Sequence, residues 1–460
     1  MEIRVDLVSI IDLLGLKMRP LLYFLIALSP LPLASVGSVW QWFWVLVVGL
    51  MALFISFKIY RSSSEEGTTL SSFPKWIISL CTVFIAWGFI QAAAEYPFLP
   101  TDPRSLAPGV TSTLALNPFK TQAVAAMFAS HFLLFVMILA STRNSYDSLS
   151  MLKFIGHVTS AYAIYGIYAH FSDVKMVLWF DKWTSGDSLT STFVNRNNFA
   201  TYCGLGLCVV VGQFQALVGN GKLAFGSKRL GRLDLLSFFG GRDWWLIVEL
   251  LVLLTALMLT ASRAGIVASL VAILLLVVVG ARKKQGLDAR DFYFVGIFIA
   301  CMITALLLSS DVFLRRLELS SLDSASRIEV YSVILNILKD GPFLGSGLGG
   351  FEDVFRLYRP PSVDGYFSRA HNEYLELAVT AGLFFTLILI FGILSCLVFI
   401  GRQLKSKGRS RQLALTGLAG SMLIGVHSLV DFPTQIPAVS YLYLVILATS
   451  VQKIGGCDQD

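Results

Sequence analysis

A short polar segment, RAHNEYLE at residues 369–376, leads directly into a long apolar run. If a helix begins near Asn372, then His371 lies just before the positive end of the helix dipole. That dipole and the neighbouring Arg369 both oppose a positive charge on the imidazole. We therefore expect a neutral His371 that can accept a proton near pH 7, with a purely local hydrogen bond as the alternative role.

The other polar residues of this segment suit the start of a helix. Asn372 is a candidate N-cap, and the carboxylates of Glu373 and Glu376 are favourable near the positive end of the helix dipole. Because they adjoin His371, Asn372 and Glu373 are also candidate substrate-binding residues. A purely structural role for the two glutamates is the alternative.

A second polar group lies near the end of a later apolar segment. His427 and Asp431 are four residues apart, on one face of a predicted helix, and are close enough to pair. Structural pairing is the favoured role, and the two residues form a second line of site candidates. The remaining histidines have no companion motif and are expected to be core or interfacial residues: His131, His157 and His170.

Two arginines lie at the ends of apolar segments. Arg196 stands at the start of one such segment, and Arg263 lies in a short turn between two others. A long cation in such a position often only reaches out to the membrane interface. Guanidinium also binds phosphate oxygens through two parallel hydrogen bonds and keeps its charge, so both residues are candidates to hold a diphosphate.

A long loop at about 310–371 precedes the polar segment. Apolar residues at helical spacing predict an amphipathic helix on the membrane surface: Ile328, Tyr331, Ile334, Leu335 and Leu338. Arg327 lies off that stripe and is a further candidate for substrate binding. The glycine-rich stretch GSGLGG at residues 345–350 predicts a flexible turn, because no strand precedes it as a dinucleotide-binding loop requires.

The composition indicates that membrane-spanning helices position these residues. Of the 460 residues, 55% are hydrophobic and 14% are charged, and the mean hydropathy is +0.71. A soluble domain has about 25% charged residues. We predict an all-α fold, a polytopic helical bundle forming a single integral membrane domain over residues 1–460. About twelve spans of about 20 residues each are expected: 21–37, 40–57, 75–94, 121–141, 152–170, 198–218, 244–261, 264–280, 292–309, 373–400, 413–431 and 438–452.

The charge distribution predicts the orientation. With the N-terminus in the cytoplasm, 23 of the 36 lysines and arginines fall in segments on the cytoplasmic side. This bias explains the net charge of +7 without a nucleic-acid partner. It also places both termini inside and the polar candidates, with the loop at 310–371, outside.

The cysteines favour neither a disulfide nor a metal site. Five of them fall inside predicted spans and Cys457 falls in the inner tail, so no outer loop carries a thiol. They are expected to pack as small hydrophobic residues. We predict no metal and no cofactor.

Together the candidates suit chemistry on an anionic, lipid-anchored substrate at the outer membrane face. Two arginines can hold a diphosphate and offset the charge that develops on it as a leaving group. A neutral histidine can take the proton from an attacking sugar hydroxyl. This combination describes glycosyl transfer from a lipid diphosphate.

The same stretches resemble the O-antigen ligase and polymerase superfamily of bacterial inner-membrane proteins. The resemblance covers about residues 190–440, and the stretches that carry it are STFVNRNNFA, SRAG, RIEVYSVILNILKDGPFLGSGLGGFEDVF, RAHNEYLELAVTAG and HSLVDFPTQIPA. It implies an all-helical bundle with a large periplasmic loop and metal-independent transfer of glycan from undecaprenyl diphosphate. His371 matches the family's histidine, and Arg196 and Arg263 resemble its outer arginines.

Several alternatives remain at this stage. The implied partners are a lipid-linked glycan donor, membrane lipid, and an acceptor that is either a glycan or lipid A core. One polymerase signature, an arginine followed eleven residues later by glycine, is absent from the outer arginines and favours a ligase. A polymerase of the same superfamily and a polytopic transporter are the alternatives, although no half-to-half repeat supports a transporter. A metal-dependent lipid-linked glycosyltransferase is disfavoured because VGSVWQW at residues 36–42 lacks a carboxylate.

Overall fold

The fold is all-α apart from one short strand pair. The structure, a computed structural model, describes residues 18–61, 69–95, 113–142, 144–172, 176–181, 188–219, 244–280, 329–340, 343–361, 363 and 367–451. The strands β1 (Met176–Val177) and β2 (Phe180–Asp181) are antiparallel. The helices are α1 (Met18–Leu28), α2 (Ser38–Arg61), α3 (Thr69–Ser72), α4 (Lys75–Ala93), α5 (Pro118–Ser141), α6 (Ser145–Phe171), α7 (Arg196–Gly219), α8 (Trp245–Leu259), α9 (Arg263–Gly280), α10 (329–339), α11 (Phe351–Tyr358), α12 (Glu373–Thr380), α13 (Leu383–Arg402), α14 (Gly408–His427) and α15 (Pro437–Ser450).

Several of these helices fit the predicted spans. Five segments of the described chain are long and apolar enough to cross a membrane: Lys75–Ala93, Pro118–Ser141, Arg196–Leu217, Arg263–Gly280 and Leu383–Lys405. Shorter apolar helices lie at four further predicted positions: Arg19–Leu28, Ser38–Phe54, Trp245–Leu259 and Pro437–Ser450. The all-α membrane fold is therefore confirmed, whereas the total of about twelve spans and the periplasmic loop remain predictions.

Two predicted spans differ from the observed helices, and one cannot be compared. The first helix ends at Leu28 because Pro30 and Pro32 follow it, and the span predicted at 21–37 is therefore shorter. The span predicted at 373–400 is two helices, α12 and α13. The span predicted at 292–309 lies outside the described residues.

Helix α7 forms the centre of the bundle. In its membrane-length segment 83% of the residues are buried, compared with 28% for the segment Lys75–Ala93. It packs against α6, α8, α9, α14 and α15. Close packing depends on glycines, since a Cβ at Gly204 would lie 2.3 Å from Ser269 Oγ of α9, and one at Gly212 would lie 2.3 Å from Thr416 Oγ1 of α14.

A turn at Gly382 separates α12 from α13. Gly382 has φ +88° there, and a Cβ on it would lie 2.3 Å from the carbonyl oxygen of Phe343. Two side chains of α4 hold this turn: Trp87 Nε1 donates to the Ala381 carbonyl at 2.7 Å, and the buried Gln91 Nε2 donates to the Thr380 carbonyl at 2.9 Å. The apolar sequence across the turn conceals it, so hydropathy predicted one continuous helix.

Gly382→Ala should destabilise the protein. An alanine at φ +88° and ψ +150°, a backbone region that is essentially restricted to glycine, costs about 1–3 kcal/mol, and its overlap with the Phe343 carbonyl adds to that cost. Gly49→Ala, in α2 with nothing within 4 Å of the added Cβ, is the control and should leave the melting temperature unchanged or raised. Equal melting temperatures for the two variants in detergent would contradict the role given to this turn.

The glycine-rich stretch at 345–350 is confirmed as a turn, and its amides serve the fold. The N–H of Ser346 donates to the Val379 carbonyl and that of Gly347 to the Thr380 carbonyl, both at 3.0 Å. The N–H of Leu348 donates to Gln91 Oε1 at 3.2 Å. These groups therefore hold the α12–α13 break and are not directed at a phosphate.

The amphipathic helix predicted for the long loop is confirmed in part. Residues 329–339 are helical, and Tyr331, Ile334 and Leu338 of the expected apolar stripe pack with α11 in a small separate core. Leu335, also expected in the stripe, is 52% exposed. The most deeply buried residues of the helix include Val330, Val333 and Ile337, which lie beside the predicted stripe, so spacing alone did not give the full extent of the packed face. Ile328 and Arg327 lie outside the described residues.

The cysteines behave as predicted where the structure describes them. Cys203, Cys208 and Cys396 are buried free thiols, and Cys81 is partly buried. Cys301 and Cys457 lie outside the described residues.

Candidate active site

Four polar motifs that are distant in sequence meet at one end of the bundle. Helices α7 and α9 begin there with Arg196 and Arg263. The Asn197 side chain joins them, because its Oδ1 accepts a hydrogen bond from Ser262 Oγ at 2.8 Å. Its Nδ2 donates to Asp431 Oδ2 at 2.6 Å. The Asn197 side chain therefore connects the starts of α7 and α9 to the turn that follows α14.

Asp431 also faces the candidate base. Its Oδ1 lies 3.6 Å from His371 Nδ1, and the side chain of Asp431 is 1% exposed while that of His371 is 32% exposed. The Phe432 ring packs against the imidazole, with the ring centroids 5.2 Å apart. A buried carboxylate thus lies beside one nitrogen of a partly exposed imidazole, and this Nδ1 has no hydrogen-bond partner among the described residues.

The backbone at His371 is unusual. Its φ is +51°, a left-handed conformation that residues other than glycine rarely adopt. Tyr331 Oη donates to the His371 carbonyl at 3.3 Å, and the N–H of Ala370 donates to Glu376 Oε2 at 2.8 Å. Surrounding groups therefore fix a backbone conformation that has an energetic cost, which is a common feature of functional sites.

The predicted helix start after His371 is confirmed. Asn372 is the N-cap of α12, since its Oδ1 accepts from the N–H of Leu375 at 3.0 Å. Its Nδ2 donates to the Leu429 carbonyl at 3.0 Å. Asn372 therefore both starts the helix and fastens it to the turn that carries Asp431.

The charge on Asp431 is stabilised by its neighbours. Burial alone would raise the pKa of this carboxyl, but His371, His427 and Asn197 together hold it below its ordinary value. Asp431 is therefore an anion at neutral pH. A carboxylate at this position favours the charged imidazole that proton transfer to His371 would create.

Glu373 joins α12 to the segment that follows Asp431. Its carboxylate accepts hydrogen bonds from Ser428 Oγ, from the Thr434 N–H at 2.8 Å and from Thr434 Oγ1 at 2.7 Å. Burial raises the pKa of this carboxyl to about 7, and the hydrogen bonds from Ser428 and Thr434 oppose that rise. Both oxygens are engaged by protein groups, so the contacts of Glu373 position the site.

The pKa of Glu373 predicts a pH dependence of stability. A carboxyl whose pKa is higher in the folded protein stabilises the fold below its ordinary value of 4.5, and this contribution is lost as pH rises towards about 7. The melting temperature of the wild-type protein should therefore fall more between pH 5 and pH 8 than that of Glu373→Gln. The glutamine keeps an oxygen for Thr434 and offers an amide to Ser428. Parallel profiles for the two proteins would contradict the assignment.

Residues 249–390 match the sequence profile described as O-antigen ligase. These residues form an O-antigen ligase domain. The match confirms the resemblance predicted from the motifs and supports the assignment to the O-antigen ligase superfamily. A search of curated proteins with the chain finds no match.

The O-antigen ligase domain contains only part of the site. It includes Arg263 and His371, together with the helix break at Gly382. Asn197 and Asp431 lie outside the matched residues, but Asn197 is hydrogen-bonded to Ser262 of the domain and Asp431 lies 3.6 Å from His371. Together with the apolar helices, the domain identifies a membrane protein that fits the biosynthesis of cell-surface polysaccharide.

The two predicted arginines differ in their surroundings. Arg196 is partly buried, and its Nη1 lies 3.4 Å from Ser188 Oγ. Arg263 is exposed, and within the described part of the chain no hydrogen bond or ion pair is found for its guanidinium. Each stands at the first residue of a helix, where the dipole disfavours a cation and favours an anion. This unfavourable placement would be relieved by an anionic ligand between the two helix starts.

The second predicted pair is arranged differently from the expectation. Helix α14 ends at His427, so Asp431 lies in the following turn and the two residues do not share a helical face. His427 is buried and its Nδ1 lies 2.6 Å from Thr201 Oγ1 of α7. Asp431 faces His371 and Asn197, contacts that hydropathy could not predict because they join segments far apart in the chain. Arg327 lies outside the described residues.

Sequence reasoning missed two residues that the structure pairs with polar groups. Asn197 lies within the polar stretch NRNN, a signal that could have drawn attention to it. Glu249, a buried carboxylate in α8, contacts His157 Nδ1, although no companion motif in the sequence pointed to a partner for His157. His131 also has a partner, since its Nε2 lies 2.7 Å from Ser440 Oγ. In the regions that the structure describes, no three His, Cys, Asp or Glu side chains converge as a metal site.

Proposed function

We propose that this protein transfers a glycan from an undecaprenyl-diphosphate donor to an acceptor hydroxyl, as an O-antigen ligase-like enzyme. The reaction would take place at the periplasmic face of the inner membrane, with both termini in the cytoplasm. One observation carries the proposal: hydrogen bonds through Asn197 join the starts of α7 and α9 to Asp431, whose Oδ1 lies 3.6 Å from His371 Nδ1. An anion-binding pair and a general base therefore occupy one end of the bundle.

His371 acts as the general base in this proposal. With its Nδ1 towards Asp431, the neutral imidazole presents Nε2 to the acceptor hydroxyl and removes its proton. The acceptor oxygen attacks the anomeric carbon of the donor glycan, and the bond from that carbon to the diphosphate oxygen breaks. The undecaprenyl diphosphate leaves with the bonding electrons. Asp431 positions the imidazole and stabilises the imidazolium that forms.

Arg196 and Arg263 hold the diphosphate. Their guanidinium groups and the two helix N-termini provide hydrogen-bond donors and positive potential where the leaving group gains charge. No metal is required for this charge stabilisation, and the proposal is for metal-independent transfer. Arg327 is a further proposed donor-binding residue.

A polymerase is the closest alternative to a ligase, and the two differ in the acceptor that they use. A polymerase of the same superfamily would use the same base and arginines and would add the glycan to a growing chain instead of to lipid A core. We retain the ligase as the proposal, with the O-antigen or exopolysaccharide polymerase as the alternative. A polytopic transporter would carry a lipid-linked glycan without breaking the glycosyl bond.

Reconstitution tests these three functions directly. The purified full chain in nanodiscs would receive undecaprenyl-diphosphate glycan and either lipid A core or free glycan chains, with a chelator present. Transfer to lipid A core supports the ligase, and extension of free chains supports the polymerase. An intact donor after long incubation with both acceptors would contradict either enzyme. Loss of activity with chelator and its recovery with added metal would contradict the metal-independent mechanism.

The orientation can be tested by labelling single cysteines. In a protein without native cysteines, Ser368→Cys at the site end should react with an impermeant thiol reagent applied to spheroplasts. Lys407→Cys, at the turn before α14, should react only after the membrane is permeabilised. Both positions are exposed to solvent in the structure. The reverse labelling pattern would invert the proposed topology.

A further inference from the structure

Glu376 is a buried carboxylate to which the proposed mechanism gives no role. It lies in the first turn of α12, and the residue is 3% exposed. Its backbone is fixed, because its N–H donates to the Asn372 carbonyl at 3.0 Å and its carbonyl accepts from Thr380 Oγ1 at 2.7 Å. A buried carboxylate has a large desolvation cost unless donors surround it. The donors that surround Glu376 therefore show what this cost stabilises.

Two of these donors come from the segment that leads into His371. Glu376 Oε2 accepts from the N–H of Ala370 at 2.8 Å, and Oε1 accepts from Arg369 Nη1 at 3.1 Å. Ala370 is fully buried, in the same small core as α10 and α11. The bond to its N–H holds the peptide group between Arg369 and Ala370. Glu376 thus fixes the direction in which the chain enters His371.

The third donor comes from the segment that follows Asp431. Gln435 Nε2 donates to Glu376 Oε1 at 3.0 Å. Gln435 ends a short 3₁₀ turn, Pro433–Gln435, four residues after Asp431. The other buried carboxylate of this turn of α12, Glu373, bonds to Ser428 and Thr434, which both lie on the Asp431 side. Glu376 differs from it by joining the chain on the His371 side to the chain on the Asp431 side.

The pair of His371 and Asp431 is sensitive to such a link. Its two facing atoms, Nδ1 and Oδ1, are 3.6 Å apart, slightly beyond a hydrogen bond. Asp431 is held from its own side, since Oδ2 accepts from Asn197 Nδ2 and Oδ1 accepts from the N–H of Phe432 at 2.9 Å. His371 instead has a backbone conformation with an energetic cost, at φ +51°. A small shift of the backbone at 369–371 therefore decides whether the imidazole meets the carboxylate.

We propose that Glu376 is a positioning residue for the base: it binds the peptide before His371 and the turn after Asp431 with one carboxylate, and thereby sets the contact between the two. The inference rests on the proposed function and adds a residue that acts through His371 without touching a substrate. An ion pair that only neutralised Arg369 would not need the bonds to Ala370 and Gln435. Those two bonds are the ones that reach the backbone on either side of the pair.

Replacing the carboxylate tests this role. Glu376→Gln has one acceptor oxygen in place of two and cannot bond to all three donors. The single-turnover rate of glycan transfer by the full chain in nanodiscs should fall by about 10²-fold, the cost of displacing a reacting group by about 1 Å. Gln435→Met removes only the link after Asp431 and should lower the rate by about tenfold. Glu352→Gln, which alters an acid of α11 paired with Lys120 and Arg356, should transfer at the wild-type rate.

Two further measurements separate positioning from a general effect on folding. The affinity for undecaprenyl diphosphate should stay within about twofold of wild type in Glu376→Gln and Gln435→Met, which would show that both variants fold. In His371→Asn no base remains to be positioned, so the addition of Glu376→Gln should change the residual rate by less than about twofold. A glutamate that only stabilises the fold would slow both proteins by the same factor.

The same factor in both backgrounds would therefore overturn the positioning role. Near-normal transfer by Glu376→Gln, with an active wild-type protein, would also overturn it and would leave the proposed function standing. A wild-type protein that transfers no glycan at all would remove the proposed function itself and this inference with it.

Discussion

His371→Asn should lower the rate of glycan transfer by about 10²–10⁴-fold, the usual cost of losing a general base. Asparagine tolerates the left-handed backbone at this position, where φ is +51°, and its amide cannot take a proton from the acceptor. The donor affinity should change little, because no donor phosphate contact is assigned to this side chain. The measurement is single-turnover transfer from undecaprenyl-diphosphate glycan in nanodiscs, with donor binding measured separately.

A matched histidine provides the control for this experiment. His170→Asn alters a histidine at the end of α6, outside the proposed site, and should leave transfer at the wild-type rate. Asp431→Asn should reduce the rate and also change its pH profile, since the imidazolium formed on His371 would lose its buried anion. Near-normal transfer by His371→Asn would remove the base from the mechanism and leave the membrane fold standing.

The sequence predicted the parts of this protein that depend on local physical chemistry. Hydropathy located α4, α5 and α9, because a membrane span needs a long apolar segment. The N-cap at Asn372 followed from the residue types at one helix start. The motif resemblance indicated the O-antigen ligase domain before any contact was known.

The sequence could not predict contacts between distant segments or choices between equivalent faces. Gln91 bonds to residues about 250 positions later, and no periodicity marks it as the side chain that holds a helix break. The apolar face of α10 was predicted only in part, because Leu335 of the expected stripe is exposed while Val330, Val333 and Ile337 beside it are buried. Asp431 was paired with His427 by spacing, whereas the structure ends α14 first and turns the carboxylate towards His371 and Asn197.

Arg263→Lys should lower transfer by about 10²–10³-fold while the protein folds normally, an effect similar to the loss of one oxyanion donor. Lysine keeps the positive charge but loses the planar pair of N–H donors that matches phosphate oxygens. Arg263 is exposed, and in the described residues it has no hydrogen bond or ion pair, so the fold itself should lose little. The loss should therefore appear as weaker donor binding and a lower transfer rate at an unchanged melting temperature.

Arg196→Lys should give a similar loss of transfer, and Arg356→Lys supplies the matched control. Arg356 forms an exposed pair with Glu352 at 2.7 Å, an interaction worth at most about 1 kcal/mol, and it lies in α11 outside the proposed site. If both Arg196→Lys and Arg263→Lys transferred glycan as fast as Arg356→Lys, their role would be reduced to that of interfacial cations. If instead both variants lost transfer, and lost more of it at higher salt, the result would support electrostatic binding of the diphosphate by these two residues. Salt screening weakens the remaining contact of a lysine ammonium group more than the paired contact of a guanidinium group.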